Sequence, residues 1–481
     1  MRDLVERALN LALVRGAWYA DVRIVHRRTQ VVEVKNGAVE GLSEDESLGF
    51  GVRVLVNGAW GFASSARLEP AEVDRVTALA VQIARASARV PGRQPVHLGP
   101  PVTHVATYRT PVQVDPFAVP LERKVALLVE ASRAMQQAPE VRVAKASLEC
   151  QRERKVFGNT EGAFIEQEIT ETGAGLEAIA VGPDDVQKRS YPNSFGRHQA
   201  TKGYELVEAL DLVGHAPRVG EEAVRLLTAP PCPSGVTTII LDATQLALQV
   251  HESCGHPAEL DRVLGTEASF AGTSFLTLDK RGTFRYGSEI VNITADATIP
   301  GGLGTFGYDD EGVPAQRTPL VREGLFVGYL MSRETAALLG LPSNGCMRAD
   351  GWNRIPLIRM TNVNLEPGAW EWEDLLADTE GGLYLETNKS WSIDDRRLNF
   401  QFGTEVAFAI KGGKLGTLYK NATYTGITPQ FWRSCDAICN AKYWNVWGTP
   451  NCGKGQPGQI AHVGHGTAPA RFRNVQVGLM R

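Results

Sequence analysis

Val236-Thr237-Thr238-Ile239-Ile240-Leu241 runs without a break into Asp242-Ala243-Thr244-Gln245-Leu246-Ala247-Leu248-Gln249-Val250, and then into His251-Glu252-Ser253-Cys254-Gly255-His256-Pro257. The first six residues are β-branched and apolar and read as a strand. Asp242 is a good helix N-cap, and Gln245 three residues on completes a capping-box pattern. Leu246 and Val250 would anchor the following helix on a core. Two imidazoles and a carboxylate at its end are the composition of a metal-dependent hydrolase, with histidines to hold a divalent ion and a glutamate to accept a proton from water.

The spacing is unusual. Histidines four apart on an ideal helix lie about 40° from each other round the axis and can share one ion, whereas five apart they diverge by roughly 140°. A shared ion therefore requires a deformed helix. Gly255 weakens the last turn, and a residue before proline, here His256, is disfavoured in the right-handed helical region. A widened or broken last turn would swing His256 back towards His251. A third ligand must come from the remaining histidines, cysteines or acids. The most suggestive is Cys452 in the glycine-rich turn Thr449-Pro450-Asn451-Cys452-Gly453-Lys454-Gly455. Glu252 is the candidate general base.

Working outward, Ala229-Pro230-Pro231-Cys232-Pro233-Ser234-Gly235 separates two halves. The expected fold class is α+β in two domains, residues 1–228 and 236–481. The first is a duplicated helix and antiparallel-sheet unit, and the second is β-rich and carries the motif helix. In the first half, a helix with Leu4, Ala8 and Leu11 on one side precedes short strands at 22–24, 32–34 and 52–56, punctuated by the turns Asn36-Gly37 and Asn57-Gly58. A second helix starts at Pro70. The order returns with a helix over 121–135, strands over 141–179 round a turn at 159–162, and helical sequence at 219–227. Beyond Gly265 come strands and glycine turns, including Ile290–Ile293, the hairpin 320–327 and Val406–Ile410.

Hydrophobic residues make up 43% of the 481 and charged residues 22%, which fits a globular chain. The formal net charge of −4 and the lack of a basic block give a nucleic-acid partner no electrostatic support. Acids interrupt the N-terminal apolar stretch, and no run is long enough to span a membrane, so a cytoplasmic location is expected. Seven scattered cysteines fit metal ligation or burial in a reducing compartment better than disulfides.

The motif at 251–256, then Gly265-Thr266, Asp309-Asp310-Glu311-Gly312-Val313-Pro314-Ala315-Gln316-Arg317, Arg359-Met360-Thr361-Asn362 and Cys452-Gly453-Lys454, occur in an order that resembles the TldD/PmbA family. The HExxxH motif places the resemblance with its TldD branch. The resemblance implies a cytoplasmic zinc metallopeptidase acting on small or unfolded peptides in a cleft between subunits, paired with a TldE/PmbA-like subunit or with itself. It implies that His251, His256 and Cys452 bind Zn2+ and that Glu252 is catalytic. The alternative is a non-catalytic peptide-binding or assembly subunit that keeps the motif for structure, and direct modulation of a DNA enzyme is a third.

His462 and His465 depart from the family pattern, and read as surface residues or alternative ligands. Ser343-Asn344-Gly345-Cys346-Met347-Arg348 is looser than the family's version. Cys435 and Cys439 read as core or surface cysteines, and Cys254 as a packing residue. Tyr308, Asp309 and Asp310 are read either as a solvated acidic turn or as groups orienting substrate or ligands. A substrate that adds as a strand to a sheet edge would explain broad peptide acceptance.

Overall fold

The computed structural model describes residues 1–479. Its first half runs α1 (Arg2–Val14), β1 (Tyr19–Lys35), β2 (Ala38–Val56), β3 (Ala59–Ser65), α2 (Pro70–Ser87), β4 (Val105–Arg109), α3 (Leu121–Met135), β5 (Val141–Asn159), β6 (Phe164–Val181), β7 (Val186–Tyr191), β8 (His198–Ala200), α4 (Glu205–Ala209) and α5 (Leu212–Thr228). The sheet order is β3-β2-β1-β5-β6-β4, with β7 and β8 also paired to β6. The two expected units are thus joined edge to edge through β1 and β5 in one sheet. Helices α1 and α2 pack on one apolar core of it and α3 and α5 on another.

The short strands expected at 22–24 and 32–34 are one strand. The polar segment between them stays extended because its side chains find partners across the ladder. Arg27 lies opposite Glu153 and donates to it at 2.7 Å, and Arg28 Nε donates to Glu44 at 2.7 Å. Both Asn-Gly turns form as read, with positive φ at Asn36, Gly37, Asn57 and Gly58.

In the second half, β9 (Gly235–Leu241) pairs with 470–479, that strand with 422–427, that with 399–411, and that with 381–393. The last of these returns to β9 in parallel, Leu383 beside Ile239, so the strands close into a ring. Helix α6 (Ala243–Val250) leaves β9 directly, with Leu246 and Val250 wholly buried in the largest core. A smaller sheet contains Ile293–Asp296, which begins where the expected 290–293 strand was to end. The strands 445–454 and 459–467 form a separate two-stranded ribbon.

Buried ion pairs knit the halves together. Arg53 joins Asp21 at 2.6 Å and Glu311 at 3.3 Å, and Asp310 holds Lys155 at 2.7 Å and Arg23 at 3.5 Å. Asp309 accepts from the backbone N–H groups of Glu311, Val313 and Met347. Asp309 and Asp310 are therefore not a solvated turn: both are buried at the junction.

Candidate metal centre

Asp242 caps α6 as its position suggests, accepting from the N–H groups of Thr244 and Gln245. The capping box stays open, because the Gln245 side chain donates instead to Tyr424. At His251 the helix widens into a single π turn through Gly255, and the His256 N–H donates to the His251 carbonyl five residues back. This is the deformation the five-residue spacing required. It differs from the expected route, since His256 stays in the right-handed region with φ −57° and ψ −42° in spite of Pro257. Gly255 acts through its size: a Cβ there would lie 2.0 Å from the Met360 sulfur. Tyr286 donates to the Ser253 carbonyl within the widened turn.

The turn brings His251 and His256 onto one side, their rings 4.9 Å apart and nearly perpendicular. Cys452 reaches them from the ribbon, where it sits on the strand Asn445–Lys454 and not in a turn. One donor atom from each of the three lies within 4.8 Å of the others, and all three residues are buried. Tetrahedral zinc, with bonds of about 2.05 Å to nitrogen and about 2.3 Å to sulfur, separates those ligand atoms by about 3.6 Å. His256 Nε2 and Cys452 Sγ are 3.6 Å apart. The donor set and the spacing of this pair fit a zinc ion.

Hydrogen bonds settle which nitrogens face the site. His465 Nδ1 is 3.0 Å from the Val363 carbonyl, which can only accept, so that nitrogen carries the proton and Nε2 is bare. His251 Nδ1, 2.7 Å from that Nε2, must then donate, leaving its own Nε2 as a lone pair. His256 Nδ1 donates to Glu259 at 2.9 Å, again freeing Nε2. Burial lowers the pKa of His251 and, more strongly, of His256 and His465, so the rings are held neutral. For Cys452 burial pushes the thiol up, while the Arg359 guanidinium pulls it down. Neutral imidazoles are the protonation state a metal needs.

His465 is thus neither at the surface nor a ligand: it is fully buried behind His251. His462 turns elsewhere, 2.5 Å from Glu171. Cys254 packs in the core against the Tyr286 hydroxyl, and Cys435 and Cys439 are also buried. The 343–348 segment does not line the cavity at the motif. Two further residues went unsuspected. Glu259 had a signal, its i,i+3 spacing from His256. Arg397 had none; it arrives from the turn between 393 and 399 and donates to Glu252 Oε2 at 2.7 Å.

The motif opens on a cavity of about 560 Å³ between the two halves. Its walls include Glu33 and Lys145 from the N-terminal sheet, and Trp391, Arg397 and the strand segment 448–453 from the C-terminal half. The model described as the PmbA/TldA metallopeptidase C-terminal domain matches residues 234–479, and those for domain 1 and the central domain match 20–84 and 114–229.

The chain belongs to the PmbA/TldD family.

Its similarity to individual members runs nearly end to end. A metalloprotease of Methanocaldococcus jannaschii is 30% identical over 93% of this chain and 94% of its own. A metalloprotease of Methanothermobacter thermautotrophicus is 31% identical over 96% and 95%. A zinc metalloprotease TldD homolog of Saccharolobus solfataricus is 25% identical over 40% of this chain and 42% of its own. Among solved structures, TldE from Thermococcus kodakarensis superposes with a TM-score of 0.79 at 16% identity, covering 99% of this chain and all of that one, and so shares the fold. The PmbA/TldD landmarks also acquire physical roles. Met360 fills the space Gly255 leaves, Arg359 donates to the Cys452 carbonyl, and Lys454 pairs with Asp261 at 2.7 Å and Glu259 at 3.4 Å. Among the described residues no helix is long and apolar enough to cross a membrane.

Proposed function

We propose that this PmbA/TldD member is a zinc-dependent peptidase in which His251, His256 and Cys452 hold the ion and Glu252 is the general base. The observation carrying this reading is the convergence of three donor atoms within 4.8 Å, with Glu252 next to the first of them at the cavity. A divalent ion there would polarise a peptide carbonyl and ease deprotonation of water. Glu252 accepts the proton of the attacking water and returns it to the amide nitrogen as the C–N bond breaks. His465 and Glu259 hold the two imidazoles in the tautomers that leave Nε2 free. The walls of the cavity seat the peptide.

The substrates are small or unfolded peptides. Among the described residues the ribbon strand 445–454 has one strand partner, 459–467, and its segment 448–453 borders the cavity; with the Gly448 N–H engaged by His198 and the Cys452 carbonyl by Arg359, an extended peptide would add through main-chain bonds along the stretch between them. The protein works in the cytoplasm, as a homodimer or with a TldE/PmbA-like subunit. Purified protein should contain zinc by elemental analysis, digest unstructured peptides, and lose that activity to a chelator. Glu252→Gln should keep zinc and fold yet cleave nothing. Cleavage by the variant at the parent rate removes Glu252 from the chemistry. A parent protein that cleaves nothing, alone or with a partner subunit, favours the assembly role.

A further inference from the structure

We propose that Arg397 is a catalytic residue for the peptidase reading above, on which this inference rests: its guanidinium takes the negative charge that develops on the substrate carbonyl oxygen. The resting contact is the ion pair with Glu252, Nη1 to Oε2 at 2.7 Å, where the side chains are 17% and 8% exposed. Arg397 also lines the cavity onto which the three donor atoms open. Its Nε is buried with no hydrogen-bond partner among the described residues, so Glu252 is the side chain that engages the guanidinium. Of the other cations lining this cavity, Arg197 is engaged by Glu149 and Lys145 is exposed on β5. Arg397 alone of the three has an ion pair with the motif acid.

The backbone at Arg397 is held independently of Glu252. Arg397 has φ +63°, a left-handed conformation that a residue with a Cβ rarely adopts. The turn holds it there. The Arg397 N–H donates to the Asp394 carbonyl at 2.8 Å, the Asp394 carboxylate accepts from the N–H groups of Leu398 and Asn399, and the Arg397 carbonyl accepts from Thr428 Oγ1 at 2.8 Å. A donor fixed by its scaffold before the reaction stabilises developing charge without reorganisation at the moment it is needed.

Charge balance supplies the rest. As water oxygen bonds to the carbonyl carbon, the C=O π pair moves onto the carbonyl oxygen and the water proton moves to Glu252. The carboxylate becomes neutral and loses its hold on the guanidinium at the step in which the substrate oxygen becomes anionic. Arg397 exchanges one counter-ion for the other. When C=O re-forms and the C–N bond breaks, Glu252 passes its proton to the amine nitrogen, becomes anionic and recovers the guanidinium. The products are a carboxylic acid and an amine, with no other reactant consumed.

The test compares parent, Arg397→Met and Arg397→Lys as full-length, metal-loaded protein on an end-blocked peptide and on the same peptide with a free C-terminal carboxylate, and measures binding of the phosphinic analogue of the end-blocked peptide. Arg397→Met should lower kcat by about 10²–10³ with little change in KM, and weaken the phosphinate by a similar factor. Arg397→Lys should recover part of both, and bound zinc should stay the same in all three. If Arg397→Met does not fold, Arg397→Lys, which keeps the charge with a shorter reach, carries the comparison against the parent. Phosphinate binding as tight as the parent's overturns the proposal. So does a loss confined to KM and to peptides with a free terminal carboxylate, which would make Arg397 a carboxylate anchor. In both of those cases the parent cleaves and Glu252→Gln does not, so the peptidase reading stands; a parent that cleaves nothing, or an active Glu252→Gln, overturns both.

Discussion

His251 and His256 face the same point with unlike supports, a neutral imidazole behind the first and a carboxylate behind the second. The partner behind a metal-facing histidine fixes its tautomer and ring plane, and losing it typically costs 10–100-fold in metal affinity. His465→Ala should therefore weaken zinc by about 10–100-fold in a chelator competition at fixed pH, with the fold retained. An affinity equal to the parent's would mean that His251 needs no such support. The residue types at the donor positions were legible because metal chemistry draws on few side chains. The function of His465 was not, because the sequence places it 214 residues from His251, and only the ribbon's path brings His465 Nε2 to 2.7 Å from His251 Nδ1. Arg397 was invisible for the same reason, and also because a left-handed arginine has no local sequence signature.

A single widened turn converts a histidine spacing unsuited to one ion into a usable one, and that turn depends on close packing. Gly255→Ala would drive a Cβ to 2.0 Å from the fully buried Met360 sulfur, so the turn or the core must move. The variant should lose about 1–3 kcal/mol in denaturant unfolding, together with zinc affinity. Adding Met360→Ala should restore part of the affinity if crowding is the cause; no recovery would point instead to the backbone itself. The ribbon's cavity-side edge makes a separate prediction. Substrates N-methylated at alternate amides, which lose main-chain donors, should be cut far more slowly than peptides with side-chain changes at the same positions. Equal rates would rule out strand addition. Helices over 121–135 and from Pro70, both Asn-Gly turns and the β9-to-α6 passage could be read from periodicity and turn chemistry. The single 17-residue β1 could not, since its polar middle is held by charges on β2 and β5 that a local reading does not see.

At the scale of the whole molecule, the site cavity lies between two halves joined by buried charges, so the cavity's shape depends on those charges being paired. Glu153 is central to that junction, 2.7 Å from Arg27 and 3.2 Å from Lys155, which itself holds Asp310. Burial pushes its carboxyl pKa up, but Lys155 and Arg27 outweigh burial and bring it down to about 2. In the unfolded chain a glutamate titrates near 4.3, so as pH falls from there towards 2 the unfolded state takes up the proton first and folding loses about 3 kcal/mol. That stabilisation is fully present above the unfolded value and is gone below the folded one. Glu153→Gln should accordingly be less stable than the parent at pH 7, and the gap in their denaturant midpoints should close as pH drops from about 4.3 towards 2. Asp310 and Asp350 remain to pair with Lys155 and Arg27 in the variant, so the comparison isolates the Glu153 carboxylate. A gap that stays constant over that window would mean the carboxylate is not ionised in the folded junction, and the charge network would then not be what sets the halves, and the cavity between them, in place.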